Sequence, residues 1–329
     1  MKKVCTIGGG TGNFVVLRGL KHYNLDISAI VSMADDGGST GILRDELGVL
    51  PAGDTRQCVV ALSNSSRLMR NLMNYRFENG SLMGHSFGNI FLSALEKVTG
   101  SFEKAVEELG KILNIRGKVI PVTTQQVRLK MVLNNRKVLE GEKEIYLSQE
   151  IDKGYKSIFL EPHPTANPHA IDEIFNADAI VIGPGGLHTS LIANLLVEGV
   201  VEAIVKSEAT KIFVVNLMNR RGQTTKFKVS DYLNEMVRFL GTDVFDYIVV
   251  NNQLPPQELI DSYREEGELV ENDMADERVI ALPLLGEMVE TFGKDLMKRN
   301  LIRHDSKKLA DVLTKIIMKV DEPCYSSLI

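Results

Sequence analysis

The sequence predicts an α/β protein, a Rossmann-like, mainly parallel sheet with helices on both faces and a small inserted lobe. Three observations carry this. Short β-branched runs alternate with helical stretches at both ends of the chain, the way a parallel sheet is written in sequence. Several of those runs end in a glycine-rich loop that opens a helix. The length, 329 residues, suits about two domains, or one large α/β domain with a lobe.

Residues 4–7 read as a strand, Gly8-Gly9-Gly10-Thr11-Gly12-Asn13 as its loop, and Phe14-Val15-Val16-Leu17 with Leu20 as an amphipathic helix. Residues 27–33 read as a buried strand ending in a second glycine turn, Ala34-Asp35-Asp36-Gly37-Gly38-Ser39-Thr40-Gly41. Leu50-Pro51-Ala52-Gly53 reads as a loop and Asp54 as a helix start, its spacing to Gln57 matching a capping box. Residues 67–75 are expected to be helical. Residues 88–98, apolar nearly all round, are expected to form a buried helix, and residues 102–113 a surface helix. Between 118 and 160 the short alternating runs Val127-Leu129-Met131-Leu133, Ile145-Leu147 and Ile158-Leu160 predict a small antiparallel insert. The chain is thereby divided into a main domain, 1–117 with 165–329, and a β-rich insert, 118–164. After Asn167-Pro168, strands are expected at 179–182, 212–217, 247–250 and 279–282, with helices after Gly185-Gly186 and near 230–240.

With 44% hydrophobic and 25% charged residues, the composition excludes the disordered and fibrous classes. The net charge of -5 argues against duplex nucleic acid as a partner, since a phosphate backbone needs a basic face, but it leaves room for a local basic pocket. Cys5, Cys58 and Cys324 have neither an even count nor metal-ligand spacing, so a reducing compartment, by default the cytosol, is expected. Haem, flavin and zinc are not expected. The apolar stretch after Lys2 and Lys3 stops at Gly8-Gly9-Gly10, and nowhere do about 18 apolar residues run together, so no export signal or membrane span is expected. A homo-oligomer is compatible with the composition.

Three loops carry the chemistry: Gly8 to Asn13, Gly37 to Gly41, and Gly183-Pro184-Gly185-Gly186. The first matches two of the three dinucleotide-fingerprint glycines, with Asn13 where the third would stand. Any one loop is equally well a tight turn; three at one edge of a parallel sheet suit a polyphosphate, because exposed amides and helix N-termini favour anions. Gly9, Gly10, Thr11, Gly12, Asn13, Gly38, Ser39, Gly183, Gly185 and Gly186 are therefore candidate ligand contacts. Asp35, Asp36 and Asp54 belong to the same edge, where bare carboxylates would repel phosphate. A Mg²⁺ on Asp36 and Asp54, or a sugar hydroxyl on Asp35, resolves the conflict; an Asx turn at Asp36 and a simple N-cap at Asp54 are the structural alternatives. Arg44 and Arg56 follow these loops as donors to phosphate oxygens or as plain surface residues. A basic loop at Arg220-Arg221-Gly222-Gln223-Thr224 reaches the same edge. Gly84-His85-Ser86-Phe87-Gly88 has the spacing of a nucleophile elbow but lacks the preceding strand, so it reads as a helix entry, with His85 and Asn89 set to meet a ligand. The remaining histidines, His22, His163, His169, His188 and His304, show no metal spacing. A dehydrogenase is a further reading, since Asp35 falls about where a ribose-binding acid belongs.

Taken in order, Gly8-Gly9-Gly10-Thr11-Gly12, the Asp35-Asp36-Gly37-Gly38 turn, Pro51-Ala52-Gly53-Asp54-Thr55-Arg56, Gly84 to Asn89 and Gly183 to Gly186 resemble the gluconeogenesis factor family, the YvcK-like bacterial proteins. More distantly they resemble the CofD-like 2-phospho-L-lactate transferases of deazaflavin-coenzyme synthesis. Asn216-Leu217-Met218 and Arg303-His304-Asp305 extend the likeness over nearly the whole chain. The resemblance implies a cytosolic protein that binds a UDP-sugar such as UDP-N-acetylglucosamine, or another nucleotide diphosphate, and acts in cell shape during gluconeogenic growth. It adds Asn216, Tyr263 and Arg303 as ligand contacts. For the transferase branch it implies metal-assisted phosphoryl-group transfer, with Asp36 and Asp54 as the catalytic pair. The chain departs from the family at Gly186, where Ser or Thr is usual, and at His188, where an aromatic is usual.

Overall fold

A strand covered on both faces needs no polar alternation, and Lys2–Gly8 (β1) has none from Val4 onward, every residue there being buried. The computed structural model describes residues 1–286 and 302–319; Cys324 lies outside them. After β1 come α1 (Gly10–Leu20), β2 (Leu25–Val31), α2 (Gly38–Leu47), α3 (Ala52–Leu62), α4 (Arg67–Asn74), α5 (Phe87–Thr99), α6 (Phe102–Ile112) and β3 (Lys118–Pro121). Next are β4 (Arg128–Leu133), β5 (Val138–Glu140), α7 (Glu142–Leu147) and β6 (Tyr155–Glu161). The chain continues through α8 (Pro168–Phe175), β7 (Ala179–Ile182), a π-helical turn (Leu187–Ile192) running into α9 (Ala193–Leu195), α10 (Val200–Lys206), β8 (Thr210–Val214) and α11 (Val229–Leu240). It ends with β9 (Tyr247–Asn251), α12 (Gln257–Tyr263), β10 (Val279–Leu282) and α13 (Ser306–Met318).

Seven strands make one sheet in the order β10-β9-β8-β7-β1-β2-β3, and every neighbouring pair is parallel. The order reverses at β1. The chain first builds outward through β2 and β3, then returns to lay β7 against the other side of β1. Gly8 pairs with Val31, and Ile7 with Ile182, so β1, β2 and β7 end level and their loops open on one edge at the reversal. This is where an open α/β sheet forms its crevice. Helices cover the sheet, with α1 packed between α3 and α13, and α10 between α8 and α11.

The structure corrects several expectations. Lys118–Pro121 joins the main sheet beside β2 rather than the antiparallel insert. The separate three-stranded sheet, β5-β4-β6, starts at Arg128. Residues 145–147 are helical, in α7, because a pattern only three residues long, Ile145-Tyr146-Leu147, fits the end of a short helix as well as a strand. Helix α3 starts two residues before Asp54 and its N-cap is Pro51, so no Asp54–Gln57 capping box forms. Helix α5 is not buried all round: Leu92 is covered, but Val98 is 85% exposed. Its Phe87 and Phe91 stack on each other, 5.9 Å apart.

Candidate functional site

The first and third loops meet at the reversal of the sheet. A Cβ built on Gly12 would overlap the Pro184 carbonyl oxygen and come within 3.1 Å of the Gly185 Cα. Glycine there lets α1 approach the loop after β7 more closely than any side chain permits. On the other side of the first loop, a Cβ on Gly9 would meet Ser190 Oγ at 2.5 Å and Asp54 Oδ2 at 2.7 Å, and one on Gly10 would strike Asp54 Oδ1. The Asp54 carboxylate therefore lies over the N-terminus of α1, which has no side-chain cap of its own, and complements the positive end of the helix dipole. The side chain of Thr11 adds a hydrogen bond to Gln57 Oε1 at 3.3 Å. Asn13, only 2% exposed, stands against Gly8 with its Nδ2 unpartnered.

The second loop joins from β2. Asp35 accepts from the Gly37 amide at 3.0 Å, so the Asx-type turn expected at Asp36 belongs to Asp35. Its other oxygen crowds Gly53 at the start of α3. Gly38 has φ +46°, a conformation that suits glycine, and open space where a side chain would project. Asp36 turns toward the three-stranded lobe, where its Oδ1 accepts from Lys143 N at 2.8 Å and its Oδ2 sits against Gly141. It thus caps α7.

Helix α7 supplies a fourth acid that the sequence reading missed, for Glu142 carries no motif. Its Oε2 is 4.0 Å from where a Gly37 Cβ would be. Burial, and then the charges of Asp35, Asp54 and Asp36, push its carboxyl well above the ordinary carboxylate range, against a hydrogen bond with Thr189. The π-helical turn thus gives Ser190 to the first loop and Thr189 to Glu142. Its neighbour His188, 2% exposed, lies 3.6 Å from Glu235 and edge-on to Tyr155, with Nδ1 unpartnered. Although burial opposes it, hydrogen bonds from His188 and Tyr155 and the charge of Arg238 hold the Glu235 carboxyl below its usual range.

Other expected contacts have structural partners. Arg56 is buried, with Nε donating to Asn89 Oδ1 at 2.8 Å and Nη1 to Met73 O at 3.1 Å and Asn74 Oδ1 at 2.6 Å. Asn89, expected to meet a ligand, bonds Arg56 and Thr40 instead. Ser39 Oγ accepts from Ser86 N at 3.2 Å and lies 3.2 Å from His85 Nδ1, which ties the second loop to the Gly84–Gly88 turn. Ser86 is the N-cap of α5, a helix entry as expected. Asn216 clasps Gly185 through both peptide groups, at 3.0 and 2.9 Å, so the Gly185 amide is already taken. Gly183 has φ +78°, and a Cβ on Gly186 would meet Thr189 Oγ1 at 2.5 Å. The basic loop turns to the lobe: Arg220 Nε donates to Tyr146 O and its guanidinium lies 3.5 Å above the Tyr146 ring. Arg44 is 5% exposed, with its Nε 3.2 Å from Asp45. Tyr263 packs with Leu217, Met218, Leu285 and Ile302 in a second apolar cluster, and Arg303, the residue after Ile302, is exposed.

Among the described residues, no three or more His, Cys, Asp or Glu side chains are set to hold a metal ion. A Mg²⁺ at Asp36 and Asp54 would take most of its coordination from ligand oxygens, as Mg²⁺ bound with phosphates does. A groove of about 760 Å³ runs along β3 between α6 and α8, lined by Glu103, Lys111, Lys118 and His169, and includes none of the glycine loops. No described helix is long and apolar enough to cross a membrane.

Residues 4–285 match the family model described as 2-phospho-L-lactate transferase CofD. The chain is 38% identical over 318 residues to the gluconeogenesis factor of Bacillus subtilis, covering 96% of this chain and 98% of that one. It is 37% identical over 314 residues to the gluconeogenesis factor of Halalkalibacterium halodurans, with 95% of each covered. A crystal structure of a UPF0052 family member from Bacillus halodurans superposes with a TM-score of 0.86 at 35% identity, covering 95% of this chain and all of that one.

Proposed function

The chain belongs to the CofD family, among its gluconeogenesis factors, and on that premise we propose that it binds a nucleotide sugar of the UDP-N-acetylglucosamine type. The reading rests on one observation, the contact of Gly12 with Pro184 that joins two glycine loops at the reversal of the sheet. In it, the loop amides and the N-terminus of α1 face the diphosphate. The acids beside them decide the rest of the ligand. Asp54 already lies over the N-terminus of α1, so a bare diphosphate there meets a like charge. A ligand that pairs phosphates with a polyhydroxyl sugar uses both halves of the site, since carboxylates accept from hydroxyls as the ribose-binding acid does. Mg²⁺ arriving with the diphosphate would supply the compensating charge, with Asp36 and Asp54 as its protein ligands. Tyr263 and Arg303 complete the proposed contacts, the arginine adding charge. A cytosolic role in cell shape during gluconeogenic growth belongs to the same proposal.

Calorimetry with UDP-N-acetylglucosamine, with and without Mg²⁺, tests this. Saturable binding that strengthens with Mg²⁺ is expected; no heat at millimolar ligand sinks it. The acidic cluster of Asp35, Asp36, Asp54 and Glu142 favours a second reading, transfer of a phosphoryl-linked group as in the enzyme that gives the family model its name. Turnover of a deazaflavin acceptor, abolished by Asp36→Ala or Asp54→Ala, would support that reading instead.

A further inference from the structure

Helices α2 and α5 pack against each other, and polar contacts mark their register. Ser39 Oγ accepts from Ser86 N at 3.2 Å, and Asn89 Nδ2 donates to Thr40 Oγ1 at 3.3 Å. Beyond the end of α2, Leu50 N donates to the two Glu96 oxygens at 3.3 and 3.0 Å. One level of this seam has no such pair. Arg44 lies one turn after Thr40 and Ser93 one turn after Asn89, which sets them on its two sides. Arg44 is 5% exposed and Ser93 1%, yet Arg44 Nη1 and Nη2 and Ser93 Oγ have no hydrogen-bond partner among the described residues; the same holds for Ser86 Oγ at the head of the seam. Buried polar groups are nearly always paired, and a buried guanidinium left open is costly. The Arg44 Nε donates to Asp45 at 3.2 Å, but that carboxylate is 54% exposed and also holds Arg128 at 2.8 Å. A second buried guanidinium, that of Arg56, meets α5 at Asn89. Donors and positive charge gathered in this way are the complement of an anion.

We propose that this level between α2 and α5 is a binding site for a phosphate-type oxyanion, held by the Arg44 fork together with the Ser93 hydroxyl. The site stands apart from the nucleotide-sugar reading. A guanidinium presents parallel N–H donors at the spacing of two oxygens of one phosphate, and a serine hydroxyl adds a donor from the facing helix. The acids of the seam do not compete for that fork: Asp45 is engaged with Arg128 and Glu96 with the Leu50 amide. An oxyanion there is enclosed by the two helices, so its binding couples to the packing of α2 and, through Gly38 at the start of that helix, to the second glycine loop. Inorganic phosphate and the phosphoryl end of a larger ligand offer the same group to the fork.

The test is thermal unfolding of the full chain and its Arg44→Met and Ser93→Ala variants in phosphate and in chloride at matched ionic strength, with UDP calorimetry alongside. Phosphate strengthens burial in any protein, so the difference between parent and variant is what counts. At about 10 times Kd, phosphate is expected to raise the parent's midpoint about 3–6 °C more than that of Arg44→Met, with a smaller gain in Ser93→Ala. In chloride, Arg44→Met is expected to melt at or above the parent, since an open buried charge is removed; a residue kept for structure alone would move it down. A phosphate response with UDP affinity within about twofold in Arg44→Met assigns the free ion, and a loss of UDP affinity of about tenfold assigns the phosphoryl end of a ligand. Equal phosphate responses in the parent and Arg44→Met with unchanged UDP affinity overturn the site, as does Arg44→Met melting well below the parent in chloride.

Discussion

At Gly12 one methyl group is enough to test the crevice. Its Cβ would overlap a backbone carbonyl, not the end of a flexible side chain, so Gly12→Ala must shift α1 or the loop after β7. A loss of about 1–3 kcal/mol in urea unfolding is expected, together with a loss of nucleotide-sugar affinity. Arg56→Met leaves Asn89 Oδ1, Met73 O and Asn74 Oδ1 without their donor; about 3 kcal/mol of stability should go. Two buried titratable groups give pH slopes of opposite sign. Glu142 has its folded pKa raised, so its contribution is present in acid and lost as pH rises through that raised value. His304, driven to about 4 by burial, is neutral when folded, and its contribution is present above about 6.5 and lost as pH falls toward 4. Urea midpoints between pH 4 and 8 should lose the alkaline decline in Glu142→Gln and the acid decline in His304→Phe. Unchanged profiles would refute both assignments.

Among the elements, α7 shows how a short helix comes to exist by context. Six residues are too few to be helical alone, and the helix is held by Asp36 at one end and by Arg220 and Gln223 at the other. Arg220→Ala removes a donor to Tyr146 O and a stacked guanidinium, and about 1–3 kcal/mol of local stability with them. Hydrogen exchange should then quicken over residues 142–147 while β1 and β2 keep their protection; equal loss in the sheet would mean that the clamp is a global tie. The same contacts explain why the sequence misread this stretch and did not show what the basic loop packs on. Short-range periodicity sees neither a cap supplied from 107 residues away nor an arginine whose target is a carbonyl of α7, 74 residues away. Asp54 failed as a capping residue for a related reason. The helix begins earlier, at Ala52, and the carboxylate lies over the N-terminus of α1 instead.

Across the whole molecule, a ligand at the reversal of the sheet should bind segments far apart in the chain as one unit. Saturating UDP-N-acetylglucosamine should slow hydrogen exchange together at residues 9–13, 36–41, 142–147 and 183–190, and at 100 times Kd stabilise the fold by about 2.7 kcal/mol. Protection confined to one of these segments would separate the loops functionally. The central strands were legible because runs buried on both faces must be apolar throughout, as residues 179–182 of β7 are; the edge strand β10, 279–282, has the expected bounds although each of its residues is only half-buried. The glycine loops were legible because a tight turn between strand and helix restricts residue type locally, and their place on one edge followed from the parallel sheet. Which polar groups are already paired was decided by tertiary structure alone. Asn89, Asn216 and Asp36 satisfy neighbours brought in by the fold, whereas Glu142, with no motif around it, is pressed among three aspartates. A sequence records local backbone preference and burial, but a side chain's hydrogen-bond partners and the charges it faces come from distant segments, and only packing brings those together.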